Sequence, residues 1–391
     1  MERISVAERR SRLARRHHLA LEARASDPVE VGRGLVGVHS SDPASVYLEF
    51  RARLRDFRHE QLEDALYERR AMVRLLGMRR TMFVAAVEDA RLIHAACTRL
   101  YAARERQRLL GMLAEAGIAA EPGPWLAAVE ARTMAALRAR GQAVATELSA
   151  DVPELRAQIP FGEGRRWAGT MGVSTRVLLL LAIEGRIVRA RPRGSWLSSQ
   201  YRWAPAEDWL PGGLEGLPTH ASRIELARRW LTAFGPATAG DLRWWAGWTL
   251  AEARRALHDL GAREVALDDG PGYVLPDDLD PTPEPAPWVA LLPALDATVM
   301  GWAGRAWYLG AHGPALFDRN GNAGPTIWHD GRVVGGWGQR ADGTIAYRLL
   351  EDPGREAEVA LAAEAERLAA WMGASRPIPR FRTPLELELL A

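Results

Sequence analysis

The same order of predicted helices and strands occurs three times along this chain of 391 residues. Two or three amphipathic helices are followed by two short apolar strands, and a turn containing glycine joins the strands. A repeat of this kind predicts several similar units in series. The clearest copy spans residues 220–276, where Gly235-Pro236 ends the first helix.

The remaining elements of that copy carry specific end signals. Two Ser/Thr-x-x-Asp/Glu capping boxes open its second and third helices: Thr238 with Asp241, and Thr249 with Glu252. The third helix presents Arg254 and Arg255 on the face opposite its apolar residues. Helices followed by a hairpin in this order are typical of a winged helix, whose last helix fits a DNA groove while its hairpin reaches the neighbouring backbone. The sequence therefore predicts an α+β chain with three tandem winged-helix units.

Linkers rich in glycine and proline set the predicted domain boundaries. Residues 1–87 form the first unit, 88–210 the second with a long basic hairpin, and 211–280 the third. Beyond a proline-rich linker, residues 281–391 change to short apolar runs separated by glycine turns. That pattern predicts a small C-terminal β-barrel followed by one helix.

Three local expectations are specific enough to check. Residues 61–76 are expected to form one helix, and residues 299–302 one strand of the barrel. Near the C-terminus, Glu386 and Glu388 alternate with leucines, which predicts an edge strand.

Composition excludes several kinds of chemistry. All 51 cationic Lys and Arg positions are arginine, so no lysine imine and no Walker-type phosphate site can form. The single Cys97 excludes an internal disulfide and any site with several cysteine ligands. We expect no metal and no cofactor. No apolar run approaches the length of a membrane span, and we expect a cytoplasmic protein that associates with the nucleoid when bound to DNA.

Net charge is only +2, so attraction for polyanions must come from local patches. One predicted patch lies near the N-terminus, where five arginines and two histidines crowd residues 9–18. Asp277, Asp278 and Asp280 are expected to form a solvated acidic linker.

The densest group of polar side chains is His39-Ser40-Ser41-Asp42, directly before Pro43. One interpretation is structural: Ser41 or Asp42 caps a helix whose first residue is Pro43. The other is functional: a capped helix start is a rigid mount for His39, which could hold and deprotonate a water molecule. The two interpretations are compatible.

Further arginines lie in predicted turns and hairpins. Individually each is best explained as a solvated charge, but together they recur where winged helices meet phosphates. The residues expected to contact DNA are Arg79, Arg80, Arg193, Trp196, Ser198, Gln200, Arg202, Arg254 and Arg255. Trp196 is expected to lie at the tip of the second unit's hairpin and to act as a wedge in the duplex.

Several short motifs together resemble one known family, the bacterial winged-helix DNA glycosylases of the AlkZ and YcaQ type. The resemblance covers essentially the full length, and its motifs are residues 34–43, 79–83, 193–196, 201–203, 234–238, 292–296 and 330–337. It implies three winged helices around a C-terminal barrel that hold duplex DNA in a concave face. The family's Gln-apolar-Gln or Gln-apolar-Asp signature precedes an Asp-Pro, and His39, Ser40 and Ser41 occupy those positions here.

The resemblance implies a monomeric enzyme that excises alkylated purines from duplex DNA. His39, Ser41 and Asp42 are its candidate catalytic residues: His39 and Ser41 would hold the water, and Asp42 would stabilise the sugar cation. The absence of lysine fits a monofunctional glycosylase, and a role in self-resistance to a genotoxic natural product is compatible with the family. Two alternatives stay open: a non-catalytic DNA-binding regulator or lesion sensor, and a protein-interaction scaffold.

Overall fold

A computed structural model describes residues 2–162, 164–165 and 168–391. Its helices are α1 (Val6–Arg16), α2 (Pro28–Gly34), α3 (Pro43–Arg53), α4 (His59–Glu63), α5 (Val87–Ile93), α6 (Ala102–Glu115), α7 (Pro122–Arg140), α8 (Ala145–Asp151), α9 (Val173–Ile183), α10 (Thr219–Phe234), α11 (Ala239–Ala246), α12 (Leu250–Asp259), α13 (Ala306–Leu309), α14 (Gly313–Leu316), α15 (Arg355–Met372) and α16 (Pro384–Leu389). No helix within the described residues is long and apolar enough to cross a bilayer.

Among the described residues, thirteen strands pair into four antiparallel sheets. They are β1 (Val38–His39), β2 (Met72–Leu76), β3 (Met82–Ala86), β4 (Gln158–Phe161), β5 (Gly169–Gly172), β6 (Ile187–Pro192), β7 (Tyr201–Pro205), β8 (Arg263–Leu267), β9 (Gly270–Val274), β10 (Val289–Leu292), β11 (Thr326–His329), β12 (Arg332–Gln339) and β13 (Ile345–Leu349). Helices and antiparallel sheets together give a mixed α/β fold.

The largest sheet has five strands in the order β1-β3-β2-β6-β7. Because β2 pairs with β6 through Arg74 and Arg189, the hairpin of the second predicted unit extends the sheet of the first. The predicted helix over residues 61–76 is therefore wrong in its last five residues, which form β2. All five residues of β2 are buried, so the strand lacks the alternation of polar and apolar residues that identifies a strand with one exposed face.

The third unit follows the predicted order of elements, with α10, α11 and α12 followed by the β8–β9 hairpin. Both capping boxes form: the Thr238 hydroxyl accepts from the Asp241 amide at 3.0 Å, and that of Thr249 accepts from the Glu252 amide at 3.2 Å. These signals are local, which is why the sequence alone located them.

The C-terminal region is an open four-stranded sheet in the order β10-β11-β12-β13, and no closed barrel occurs among the described residues. Residues 299–302, expected as a strand, form turns. The expected edge strand near the C-terminus is the helix α16, capped by Thr383. Leu385 and Leu389 are buried four residues apart while Leu387 is exposed, so the same leucines satisfy a helical period.

The N-terminal arginines do not form the expected cationic patch. Arg9 and Arg12 are almost fully buried in α1; Arg9 pairs with the distant Asp269 at 3.5 Å, and Arg12 pairs with Glu8 on the same helix at 2.7 Å. Asp278 pairs with Arg12 at 3.1 Å and with Arg16 at 2.6 Å. Asp277 and Asp280 are exposed, as expected for a solvated acidic linker, but Asp278 neutralises α1 and holds it in place.

A buried ion pair joins α3 to the C-terminal region. Arg53 donates two hydrogen bonds to the Asp296 carboxylate, at 2.8 and 2.7 Å, and both side chains are inaccessible to solvent. Glu49 on the same helix accepts from the Ala297 amide at 3.1 Å. These contacts fix the helix whose N-terminus carries the candidate site.

Candidate active site and nucleic-acid interface

The His39–Asp42 segment is anchored at both ends. At one end His39 pairs with Phe83 between β1 and β3, and the Ser40 amide donates to the Met82 carbonyl at 2.7 Å. At the other end the Asp42 carboxylate caps α3, accepting from the amide and the hydroxyl of Ser45 at 2.9 and 2.8 Å. The structural interpretation is therefore correct for Asp42, and the segment is a rigid mount.

His39 lies in a largely apolar setting with one cation nearby. Its ring is 6% exposed and meets the Phe83 ring edge-to-face at 5.3 Å. Nδ1 is buried and has no hydrogen-bond partner among the described residues. Burial, reinforced by the Arg79 charge, lowers the pKa of His39 to about 3. The imidazole is neutral at physiological pH and is too weak a base to deprotonate water efficiently.

The two serines differ in their surroundings. The Ser40 hydroxyl is buried and unpartnered within the described structure, while the Ser40 carbonyl accepts from Arg74 at 3.3 Å. Ser41 is half-buried, and its carbonyl accepts from Arg380 at 3.3 Å. The backbone of the segment thus receives two guanidinium hydrogen bonds from opposite ends of the chain.

Arg79 is the predicted DNA contact that lies beside His39. Its guanidinium stacks 4.1 Å from the centre of the Trp244 ring and forms no ion pair with any described carboxylate. Arg305 stacks on Trp244 as well, at 4.8 Å. Burial and the Arg305 charge lower the pKa of Arg79 to about 10, so it remains cationic. Sequence analysis missed Arg305 and Trp244, for which no local signal exists.

A second group of cations lies on the five-stranded sheet. Arg74 is 1% exposed, and its guanidinium is 4.5 Å from the Tyr201 ring. Arg189 stacks on Trp203 at 3.8 Å, and burial lowers the pKa of Arg189 to about 10. Neither arginine pairs with a carboxylate in the described part of the chain. Arg74 was not among the residues predicted from the sequence. Its position inside the apolar run 72–76 could have identified it, because an arginine buried in such a run needs a specific partner.

Other predicted contacts differ in how fully their charges are compensated. Arg80 pairs with Glu105 at 2.7 Å, and Arg255 pairs with Asp259 at 3.6 Å. Arg254 is exposed on α12 and has no ion pair with a described residue.

The hairpin between β6 and β7 presents most of its predicted polar residues to solvent. Arg193 and Gln200 are exposed, and the Ser198 hydroxyl accepts from the Gln200 amide at 3.2 Å. Arg202 is half-buried and bonds backbone carbonyls of the same hairpin. These residues share one hairpin, and no described contact joins them to the His39–Asp42 segment.

Trp196 is not at an exposed tip. It is buried and packs against Tyr47 at 5.1 Å and Trp371 at 5.7 Å. Its ring connects the hairpin to α3 and α15. To enter a duplex, it would first have to leave this aromatic cluster.

Residues 33–371 match the family described as DNA glycosylase AlkZ-like. The structure is similar to that of the Streptomyces sahachiroi DNA glycosylase AlkZ, with a TM-score of 0.72 and 20% sequence identity over 96% of this chain and 98% of that one. Among curated proteins, none matches the chain. The family match covers most of the sequence and confirms the resemblance carried by its motifs: the chain belongs to the AlkZ-like DNA glycosylase family.

Proposed function

We propose that this protein hydrolyses the N-glycosidic bond of alkylated, cationic purines in duplex DNA. The observation that carries the proposal is the rigid His39–Asp42 segment beside Arg74 and Arg79, two cations without a carboxylate partner in the described structure. Arg79 is half-buried and therefore still accessible, and a cation without a counter-charge favours an anionic ligand such as the phosphate backbone.

Cleavage of this glycosidic bond requires little catalytic assistance. A purine alkylated at N7 or N3 already carries positive charge, so it leaves without being protonated first. What remains is to hold a water molecule and to stabilise the developing oxocarbenium ion of the sugar. A neutral imidazole can do the first by hydrogen bonding, as a glutamine does, and the low pKa of His39 favours this role over that of general base.

Ser41 and Asp42 complete the proposed site. The half-buried Ser41 would hold the same water. The Asp42 carboxylate, kept in place by Ser45, would stabilise the sugar cation electrostatically.

The remaining arginines would hold the duplex. Arg79 and Arg305 would bind phosphate beside the reacting sugar, with Arg80, Arg193, Arg202, Arg254 and Arg255 on the flanking backbone and Ser198 and Gln200 adding neutral hydrogen bonds. Without a side-chain amine, the enzyme would leave an abasic site and not cut the strand. We propose that it acts as a monomer on alkylated duplex DNA, and that one setting for this activity is self-resistance to a DNA-alkylating metabolite.

A strand-cleavage assay tests the proposal. The protein is incubated with duplex DNA methylated by dimethyl sulfate, and alkali then cleaves the strand at every abasic site. We expect breaks at methylated purines, and few breaks with His39→Ala. Full activity of His39→Ala would exclude the proposed role of the imidazole.

A non-catalytic lesion sensor is the second candidate. It is favoured by one observation, the occupation of the family's glutamine positions by His39, Ser40 and Ser41. In that case the same DNA would be bound, with an affinity that falls steeply with salt, but no alkali-sensitive sites would appear.

A further inference from the structure

A strap of residues 375–383 joins α15 to α16 and has no regular secondary structure. It is fixed at its start by Arg376, whose guanidinium donates four hydrogen bonds to backbone carbonyls at 2.7–3.1 Å. At its end the side chain of Thr383 caps α16. Pro377 and Pro379 restrict the backbone between these two anchors. The strap is therefore held in one course across the surface.

The middle of the strap lies against the His39–Asp42 segment. Residues from both sides line a small cavity of about 50 Å³ between them: Pro377, Pro379 and Arg382 of the strap, with Asp42 and Ser45 at the start of α3. Nη1 of Arg380 donates to the Ser41 carbonyl at 3.3 Å. The strap follows residue 371, where the match to the family ends, so that match does not account for this contact.

Within the described structure, Arg380 has no charged partner. Its side chain is exposed and forms no ion pair with a described carboxylate. Its guanidinium lies 5.9 Å from the centre of the Phe381 ring, a contact that helps to orient it. The hydrogen bond to Ser41 is long and uses one N–H, whereas a guanidinium offers five donors in a fork that matches a phosphate. Arg380 is thus a cation fixed at the candidate site and open to an anionic ligand.

The charges around Arg380 also favour an anion. The Asp42 carboxylate is buried and accepts from the amide and the hydroxyl of Ser45, at the positive end of the α3 dipole. Burial raises the pKa of Glu386 to about 7, although the Arg382 charge opposes that rise, so Glu386 carries only part of a negative charge at neutral pH. Arg382 itself adds a positive charge to the strap.

We propose that Arg380 binds the phosphate on one side of the reacting nucleotide, and that Arg79 binds the phosphate on its other side. The inference rests on the proposed function. Arg79 lies beside His39, while Arg380 lies at Ser41, and at most about 7 Å of chain separates these two residues of the segment. That length is comparable to the spacing of successive phosphates in one strand. A nucleotide held at both phosphates keeps its sugar over the segment, which orients it for attack by water.

A purely structural role for Arg380 makes a different prediction. If the guanidinium only supports the Ser41 carbonyl, its removal weakens the site for every DNA alike. If it binds a phosphate, the effect of its removal depends on the charge of that phosphate. The coupling between the arginine and one phosphate is therefore the informative measurement.

The experiment measures how the full-length chain binds duplex DNA that contains one tetrahydrofuran nucleotide, a stable analogue of the abasic product. The duplex is made with normal linkages, with a neutral methylphosphonate on the 5′ side of that nucleotide, or with one on its 3′ side. Fluorescence anisotropy at a single salt concentration gives the affinities. Arg380→Gln and Arg79→Gln each remove one proposed contact. Arg382→Gln removes the same charge from the same strap and is the matched control.

We expect each neutral linkage to weaken wild-type binding by about tenfold, because one charge-assisted contact is lost. Arg380→Gln should no longer respond to one of the two linkages, and Arg79→Gln should no longer respond to the other. Arg382→Gln should respond to both. A wild-type response of Arg380→Gln to both linkages overturns the inference. So does a wild type that is indifferent to both linkages, or loss of the same response in Arg380→Gln and Arg79→Gln.

Strand cleavage of methylated DNA tests the proposed function separately. If the wild type produces alkali-sensitive breaks but Arg380 shows no coupling to either phosphate, the inference is overturned and the glycosylase activity stands. If the coupling is present but no breaks form, the glycosylase activity is overturned and Arg380 remains a phosphate contact of a lesion-binding protein.

Discussion

The guanidinium of Arg79 lies 4.1 Å from the centre of the Trp244 ring, on an indole that also carries Arg305 at 4.8 Å. Each cation gains from the ring, but the two repel each other, and no described carboxylate pairs with either. A phosphate bound near both would relieve that repulsion. We therefore regard this pair as the strongest candidate for a backbone contact near the reacting nucleotide.

Removing Arg79 is expected to weaken DNA binding and its salt dependence together. For Arg79→Gln, the slope of log affinity against log salt should become shallower by about 0.9, because one fewer phosphate is neutralised. Arg132→Gln is the control, since Arg132 is paired with Glu154 at 2.7 Å and is not among the proposed DNA contacts. Fluorescence anisotropy titrations at several salt concentrations measure both slopes. Identical changes in the two variants would contradict a special role for Arg79.

His39 is expected to remain neutral at mildly acid pH. With a pKa of about 3, its ring gains no proton between pH 8 and pH 5, in contrast to an ordinary histidine. Nitrogen chemical shifts of the imidazole, followed by NMR through a pH titration, report the protonation state directly. A midpoint near 6.5 would restore the general-base interpretation and contradict the burial described above.

Sequence analysis located elements whose signals are local. The capping boxes at Thr238 and Thr249 need only neighbours three residues away. The proposed catalytic segment was found for the same reason, because His39 and Asp42 are adjacent to a Pro-initiated helix.

What sequence analysis missed depends on contacts between distant residues. In the sequence the N-terminal arginines resemble a polyanion-binding patch. In the structure Asp278 forms ion pairs with Arg12 and Arg16. Trp196 resembles an exposed tip until Tyr47 and Trp371 are found around it. In both cases the partners are far away in the sequence, and no periodicity within one segment reveals them.

Replacing Trp196 is expected to act mainly on stability. Trp196→Ala empties part of a buried aromatic cluster and should lower the free energy of unfolding by about 3–5 kcal/mol. Urea denaturation measures this loss. Once affinities are corrected for the folded fraction, the preference for methylated over intact duplex should equal that of the wild type. A selective loss of lesion binding would instead support the wedge role expected from the sequence.

Replacing one partner of the buried Arg53–Asp296 ion pair is expected to lower the free energy of unfolding more than replacing both partners. Asp296→Asn leaves Arg53 charged and unpaired in the interior, which should cost about 3–5 kcal/mol. The double variant Arg53→Met with Asp296→Leu should lose less, because no buried charge remains. Thermal and urea denaturation of the two variants check the order. A double variant less stable than Asp296→Asn would contradict this account.

Glu386 is expected to make stability depend on pH. Since folding raises its pKa from 4.5 to about 7, the folded protein keeps a proton that the unfolded chain releases. Stability should therefore fall as pH rises from 4.5 to about 7, and Glu386→Gln should lack this part of the decline. The stability of the variant relative to wild type should improve by about 2 kcal/mol between pH 5 and pH 8. Urea denaturation at both pH values is the measurement, with Glu388→Gln as the control.

The bidentate contact between Arg53 and Asp296 also bears on how the protein is synthesised. The segment proposed for catalysis is translated before Asp296, the carboxylate that neutralises the helix behind it, and more than half of this chain separates the two. A nascent polypeptide released before that point would carry an uncompensated guanidinium in its interior. The helix that carries the proposed site is therefore expected to reach its final position only after Asp296 has been translated.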